Sequence, residues 1–407
     1  MFQQVKLLNS VSPLLTLRAG FQNYVMSGSL ASLESECEKC CYRPRVPPQK
    51  VSVIGAGSDV GQIASLFLKQ QKIIKTLALY DDLPQRRVFG VANDLAHIDT
   101  STEIEAYQGK KFLQNALHNS DVVLICGGCY ELPPCCNEHD RSLFFKNMQH
   151  VRTTTIAVAQ FCPYAILAVQ TPPVDCNFAL SAYTLKVLGM YDRRRVLGVN
   201  AVNAMRANQL YCSMMGSDPT KTNIPVVGGC GRCTRVPAFS AAKPCNVPAK
   251  QLECLTRLVR EADDIICRVK SNNEQGHLSI GFATARFVVN IMKGLCSPTF
   301  LESALVEQNE PQKCYGLRMC ATPVTVGSGG IVQYSIPELS QSEKRLLEDA
   351  KSVNSDGILW LLIFRCDLED MLNLGRCYAV GDEYYLHPCK CHVCPCETCP
   401  ATCEQNK

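Results

Sequence analysis

The sequence predicts an α/β fold: a parallel-sheet domain covered by helices on both faces, followed by an α+β domain and a Cys-rich tail. Three observations carry this. From residue 50 onwards, apolar runs of four to six residues alternate with helical stretches. That is the pattern of βαβ units whose strands are buried on both faces. The first run, Val51–Ile54, feeds a Gly-rich turn and then apolar residues at helical spacing. After about residue 200 the alternation gives way to amphipathic helices at 249–272, 278–295 and 341–352.

In chain order, residues 1–33 contain Lys6 and Arg18, several Ser and no Asp or Glu. A basic, acid-poor start of this kind reads as a mitochondrial presequence. Residues 34–49 form a polar linker with Cys37, Cys40, Cys41 and three Pro. The parallel-sheet domain is expected over 50–193 and the second domain over 194–365. Residues 366–407 are the tail.

Composition excludes several function classes. Apolar residues make up 46% of the 407, so a large core is available and global disorder is excluded. Lys+Arg 41 against Asp+Glu 37 is too even for a nucleic-acid binder. No run of 18 apolar residues occurs, so no membrane span is expected. The 26 Cys are unusual beside 7 His. Single Cys within apolar runs read as small core residues. The cluster from Cys389 to Cys403 leaves three readings open: zinc ligation, disulfide cross-links between chains, and an idle tail. No metal site is expected in the body of the protein.

The Gly-rich turn carries chemistry. A strand, a turn with Gly55, Gly57 and Gly61, and a helix start aim backbone N–H groups and a positive dipole end at a pyrophosphate. Asp81 ends the second strand, where a carboxylate accepts from a ribose and repels a 2′-phosphate. NAD is therefore the expected cofactor. Asp59, within the turn, stands against a phosphate by charge.

Several segments together resemble the NAD-dependent lactate/malate dehydrogenase family, in particular its mitochondrial-type malate dehydrogenases. They are KVSVIGAGSDVGQ at 50–62, LALYD at 77–81, NDLAHI at 93–98, VLGVNAVNAMRAN at 196–208, NIPVVGG at 223–229 and LSIGFATARFV at 278–288. The resemblance covers about 50–350 in the family's order. It implies a Rossmann-type NAD-binding domain, a substrate domain, a homodimer or larger homo-oligomer, the mitochondrial matrix, and malate/oxaloacetate chemistry of the tricarboxylic acid cycle.

It also implies a proton-relay histidine held by an aspartate, an arginine clamping a substrate carboxylate, and two arginines on a mobile loop. A base poised near neutral pH takes the alcohol proton. Guanidinium forks bind carboxylates bidentately.

This sequence departs from that pattern where the chemistry sits. The histidine slot holds Cys230, the aspartate slot Asn203, and one loop-arginine slot Asp140, with Arg141 beside it. The other loop arginine has no counterpart, and Pro172 replaces an asparagine. Arg206 keeps the clamp and Asn147 matches an asparagine near the nicotinamide ribose.

Two readings follow. One is a catalytically impaired relative that retains the NAD site and serves as a scaffold. The other is an active malate dehydrogenase with a substituted relay, using Cys230 or His139 as base and Arg141 as loop arginine. His277, like His97, His118 and His150, reads as an ordinary core or surface histidine.

Overall fold

The computed structural model describes residues 48–83, 87–130, 136–242, 247–270 and 275–351, with the side chains of 136–141, 249 and 302 excepted. The presequence-like segment, most of the linker and the Cys-rich tail lie outside them.

The apolar runs form parallel strands: β1 Lys50–Ile54, β2 Thr76–Asp81, β4 Val122–Ile125, β5 Ile166–Val169 and β6 Val196–Val199. Every residue of β1, β4, β5 and β6 is buried, as strands covered on both faces require. β3, Glu103–Gln108, is the edge strand beyond β2. The apolar-run pattern did not single it out, because its alternating Glu-Ile-Glu-Ala leaves one face towards water.

Side chains alternate across these strands into two cores. Val51, Val53, Leu77, Leu79, Val122 and Leu124 face one side. There they meet α1 (Asp59–Lys69), α2 (Val88–Ala96) and α9 (His277–Cys296). Ile54, Ala78, Tyr80, Val123 and Ile125 face the other. There they meet α3 (Leu113–Leu117), α4 (Cys136–Phe161) and α5 (Val174–Val187).

The second half does not build a separate sheet. β9 (Thr299–Glu307) pairs antiparallel with β6 and continues the same sheet. β10 (Met319–Gly327), β7 (Val226–Gly228) and β8 (Arg235–Pro237) follow, and β11 (Gly330–Tyr334) pairs with β10. Helix α6 (Ala201–Met215) packs with the segment after β8 in a third core of Ala204, Tyr211, Phe239, Leu255 and Val259.

The single helix expected over 249–272 is two, α7 (Ala249–Arg260) and α8 (Ala262–Val269). The chain leaves helical geometry at Glu261, with φ −94° and ψ 3°. No Pro or Gly causes this break; it coincides with Asp263 turning to two buried arginines, described below.

Helix α9 is apolar and long enough to cross a membrane by composition. Here most of that length is buried, packed against α1. The approach is close. A Cβ on Gly281 would lie 2.6 Å from Ile63 Cγ2, and the Phe67 and Phe282 rings meet edge to face at 5.0 Å. Gly281→Leu should therefore wedge α9 off α1 and lower stability by about 1–3 kcal/mol through overpacking. A chemical-denaturation midpoint unchanged from wild type would contradict this packing.

Candidate active site

The four inner parallel strands stop at one edge, and the loops after them build a site with two poles. At the first pole β1 ends in Gly55, whose φ of +92° suits glycine. A Cβ there would lie 2.0 Å from Gly127 Cα, so two backbones approach where no side chain fits. Ser58 caps α1: Gly61 N donates to its Oγ at 3.0 Å, and that Oγ donates to Gly55 O at 2.7 Å. Gly61 is equally confined, since a Cβ would meet Gly55 O at 2.2 Å.

Asp81 is buried at the end of β2. Its carboxylate accepts from Gly57 N and from Leu83 N, both at 3.1 Å. The turn, the helix start and the acid are thus one assembly, and they fit a dinucleotide.

Asp59 begins α1 but points outward, 3.2 Å from Nδ1 of His277, the first residue of α9. His277 also meets the Tyr130 ring edge to face at 6.2 Å. Its sequence surroundings gave no sign of this; the contact depends on the α1–α9 packing. A cavity of about 1100 Å³ opens here, lined by Gly57, Ser58, Asp59, Gly128, Tyr130 and His277 among others.

Asn147 is buried beneath the Gly128–Tyr130 turn. Its Oδ1 accepts from Cys129 N at 2.7 Å, and its Nδ2 donates to Cys129 O and Pro172 O at 2.9 and 2.6 Å. Its amide is therefore engaged in holding the two loops together. Asp140 and Arg141 lie in the first turns of α4, but their side chains are outside the described residues, as are residues 131–135 of the loop.

The second pole gathers Asn203 and Arg206 from α6 and Cys230 from the turn after β7. Asn203 Nδ2 donates to Asn200 Oδ1 at 2.6 Å and to Cys230 O at 3.2 Å. Three residues not singled out from the sequence organise the rest.

Asp175 is the first. Its carboxylate accepts from Cys230 N at 2.7 Å, Gly231 N at 3.1 Å and Thr234 Oγ1 at 2.9 Å, fixing the turn. Burial pushes the Cys230 thiol well up, and Asp175 pushes it further, against a smaller opposing effect from Arg235. The thiol is therefore protonated at neutral pH.

Arg235 and Asp263 are the others. Arg235 donates from Nη1 to Asn203 Oδ1 at 2.7 Å and from Nη2 to Asp263 Oδ2 at 2.9 Å. Arg206 Nη1 donates to Asp263 Oδ1 at 2.8 Å. Burial alone would raise the Asp263 carboxyl, but Arg206 and Arg235 outweigh it and hold that group well below its usual value. Each partner is more than 20 residues away in sequence and in no shared motif, so no sequence signal marked the trio.

The poles meet at Gly276–His277. A Cβ on Gly276 would lie 3.4 Å from Arg206 Nη2, and His277 reaches Asp59.

Comparison with known proteins identifies this arrangement. Residues 49–198 match the lactate/malate dehydrogenase NAD binding domain, and residues 202–355 match the family's alpha/beta C-terminal domain. The chain belongs to the lactate/malate dehydrogenase family. Human mitochondrial malate dehydrogenase is 32% identical over 304 residues, 74% of this chain and 87% of the relative. The Caenorhabditis elegans mitochondrial enzyme is 31% identical over 301 residues, 74% and 86% of the two chains.

Solved structures agree in fold. Cryptosporidium parvum malate dehydrogenase superposes with a TM-score of 0.66 at 20% identity, over 77% of this chain and 99% of the other. The lactate dehydrogenase of the same organism, in complex with lactic acid and NAD, gives 0.65 at 18% identity, over 76% and 96%. The fold is thus the family's NAD-binding enzyme fold. Among the described residues, no group of three or more His, Cys, Asp or Glu could hold a metal ion.

Two outcomes follow from the electrostatics. Cys230 should alkylate with iodoacetamide at pH 7.5 at least about tenfold more slowly than a free thiol, since only the thiolate reacts. Peptide mapping checks this against exposed Cys233, Cys254 and Cys296. Asp263, held below the unfolded value of about 3.9, stabilises the fold above that pH and loses its contribution as the pH falls through its folded value. Between about pH 4 and 2 the melting temperature should fall more steeply for wild type than for Asp263→Asn.

Proposed function

We propose that this protein is a nucleotide-holding member of its family whose malate/oxaloacetate turnover is strongly reduced, acting as an NAD-bearing scaffold in mitochondria. The observation that carries the reading is Cys230. It stands in the slot of the relay histidine, buried and beside Asp175, with a thiol that holds its proton at neutral pH. A group that cannot release or take a proton near pH 7 cannot serve as the relay base. Loss of a general base costs typically 10²–10⁴-fold.

NAD would lie against Gly55, Gly57, Gly61 and the start of α1, with its ribose at Asp81. Bound NAD supplies the hydride acceptor. The chain's own residues shape the site: Ser58 fixes the turn and Asn147 holds the adjoining loops. Arg206 keeps the substrate-clamp position, Asn203 takes the relay aspartate's place, and Asp140 with Arg141 takes that of the loop arginine. Mitochondrial placement rests on the acid-poor first 33 residues and on the mitochondrial relatives. Assembly of identical chains is supported by exposed Leu66, Leu278 and Phe282 on the α1–α9 face.

One observation favours the second reading, an active dehydrogenase with a substituted relay. Nε and Nη2 of Arg206 are buried and have no hydrogen-bond partner among the described residues, so two nitrogens of the clamp are unspent.

The test uses the full chain. NADH should bind, read by fluorescence, while oxaloacetate reduction stays below about 0.1 s⁻¹, a hundredfold under the ~10 s⁻¹ of a typical enzyme. Turnover at or above about 1 s⁻¹ would overturn the impaired reading. Absence of NADH binding would overturn the nucleotide-holding role.

A further inference from the structure

Arg206 is the guanidinium that a carboxylate entering the second pole would meet, and the fold already supplies it with a carboxylate. We propose that Asp263 is a specificity-determining residue. It competes for Arg206 from within the protein, so this pole takes one weakly held carboxylate and offers a dicarboxylate no second cation. The inference rests on the reading of residues 200–235 as the substrate pole.

The geometry is that of a built-in ligand. Asp263 spends one oxygen on Arg206 and the other on Arg235, at 2.8 and 2.9 Å. Both arginine side chains are more than nine-tenths buried, while Asp263 keeps a quarter of its side chain exposed. Asp263 is thus the most exposed member of the trio. Its position is held from outside too. The neighbouring Asp264 and Glu261 pair with Arg232, which fixes the α7–α8 break that turns Asp263 inward.

Two features decide what else the pole accepts. First, Asp263 occupies Nη1 of Arg206, whereas Nε and Nη2 are buried and have no partner among the described residues. Those two N–H groups lie along one edge of the fork, which matches the two oxygens of a single carboxylate. Second, the local charge is small. Two guanidiniums and one carboxylate leave one net positive charge, which one incoming carboxylate neutralises. A second carboxylate would find no free cation in this trio.

The experiment uses the full chain and two probes, malonate and acetate, titrated by calorimetry, with NADH binding read in the same samples. Wild type should bind both weakly, with affinities within about tenfold of each other. Asp263→Asn frees Nη1 and should bind malonate at least tenfold more tightly. Because that variant leaves two guanidiniums unbalanced, a charge-matched variant, Asp263→Asn with Arg235→Gln, is measured beside it. It keeps one net positive charge and a single guanidinium, and should stay within about twofold of wild type for malonate.

Malonate affinity within twofold of wild type in folded Asp263→Asn, or the full gain in the charge-matched variant, would overturn the proposal. So would a wild-type preference for malonate over acetate well beyond tenfold, a result that needs no variant. Failure of NADH to bind with the malonate gain intact would overturn the nucleotide reading alone.

Discussion

Parallel strands end together, and this constraint places everything else. Because β1, β4, β5 and β6 run the same way, Gly55, Cys126, Gln170 and Asn200 all emerge at one edge of the sheet. Each loop must turn there, and each turn brings polar backbone to the same place. The contact between Gly55 and Gly127 is the tightest expression of this: the loops after β1 and β4 touch backbone to backbone. With those two loops locked, the α1 N-terminus, Asp81 and the Asn147-bound turn have only one place to be.

The second pole is governed by charge in a dry environment. An arginine kept for binding an anion is costly to bury without one. This protein resolves the cost internally, with Asp263 shared between Arg206 and Arg235. Asn203 then accepts from Arg235, where a carboxylate would have formed a further ion pair. The Cys230 turn is held by Asp175 through backbone N–H groups, so its shape survives without a charged side chain at Cys230. The pole is thus well ordered as a structure with Cys230 and Asn203 in place.

Much of the fold was legible in the sequence because it follows local rules. The apolar runs, the Gly-rich turn and the helix at 277–296 are encoded by residues close together in the chain. Edge strand β3 was less visible, since Glu103, Glu105 and Gln108 break the apolar run. The α7–α8 break was illegible, because 249–269 has helical periodicity throughout and the kink follows a tertiary ion pair. The same distinction separates the site residues. Gly55, Asp81, Asn203, Arg206 and Cys230 sit in recognisable segments. Asp175, Arg235, Asp263 and His277 matter only through partners brought near by packing, and no spacing in the chain announces them.

The sheet does not stop at the boundary between the two halves. β6 hands its free edge to β9, and the antiparallel strands extend the same sheet. Such a ladder offers no hinge plane across which one half could melt while the other stands. The halves should behave as a single cooperative unit, in which tightening at the nucleotide edge is transmitted as stiffness to the carboxylate pole. That mechanical unity gives a nucleotide held at the first edge a use beside any reaction: it becomes a brace.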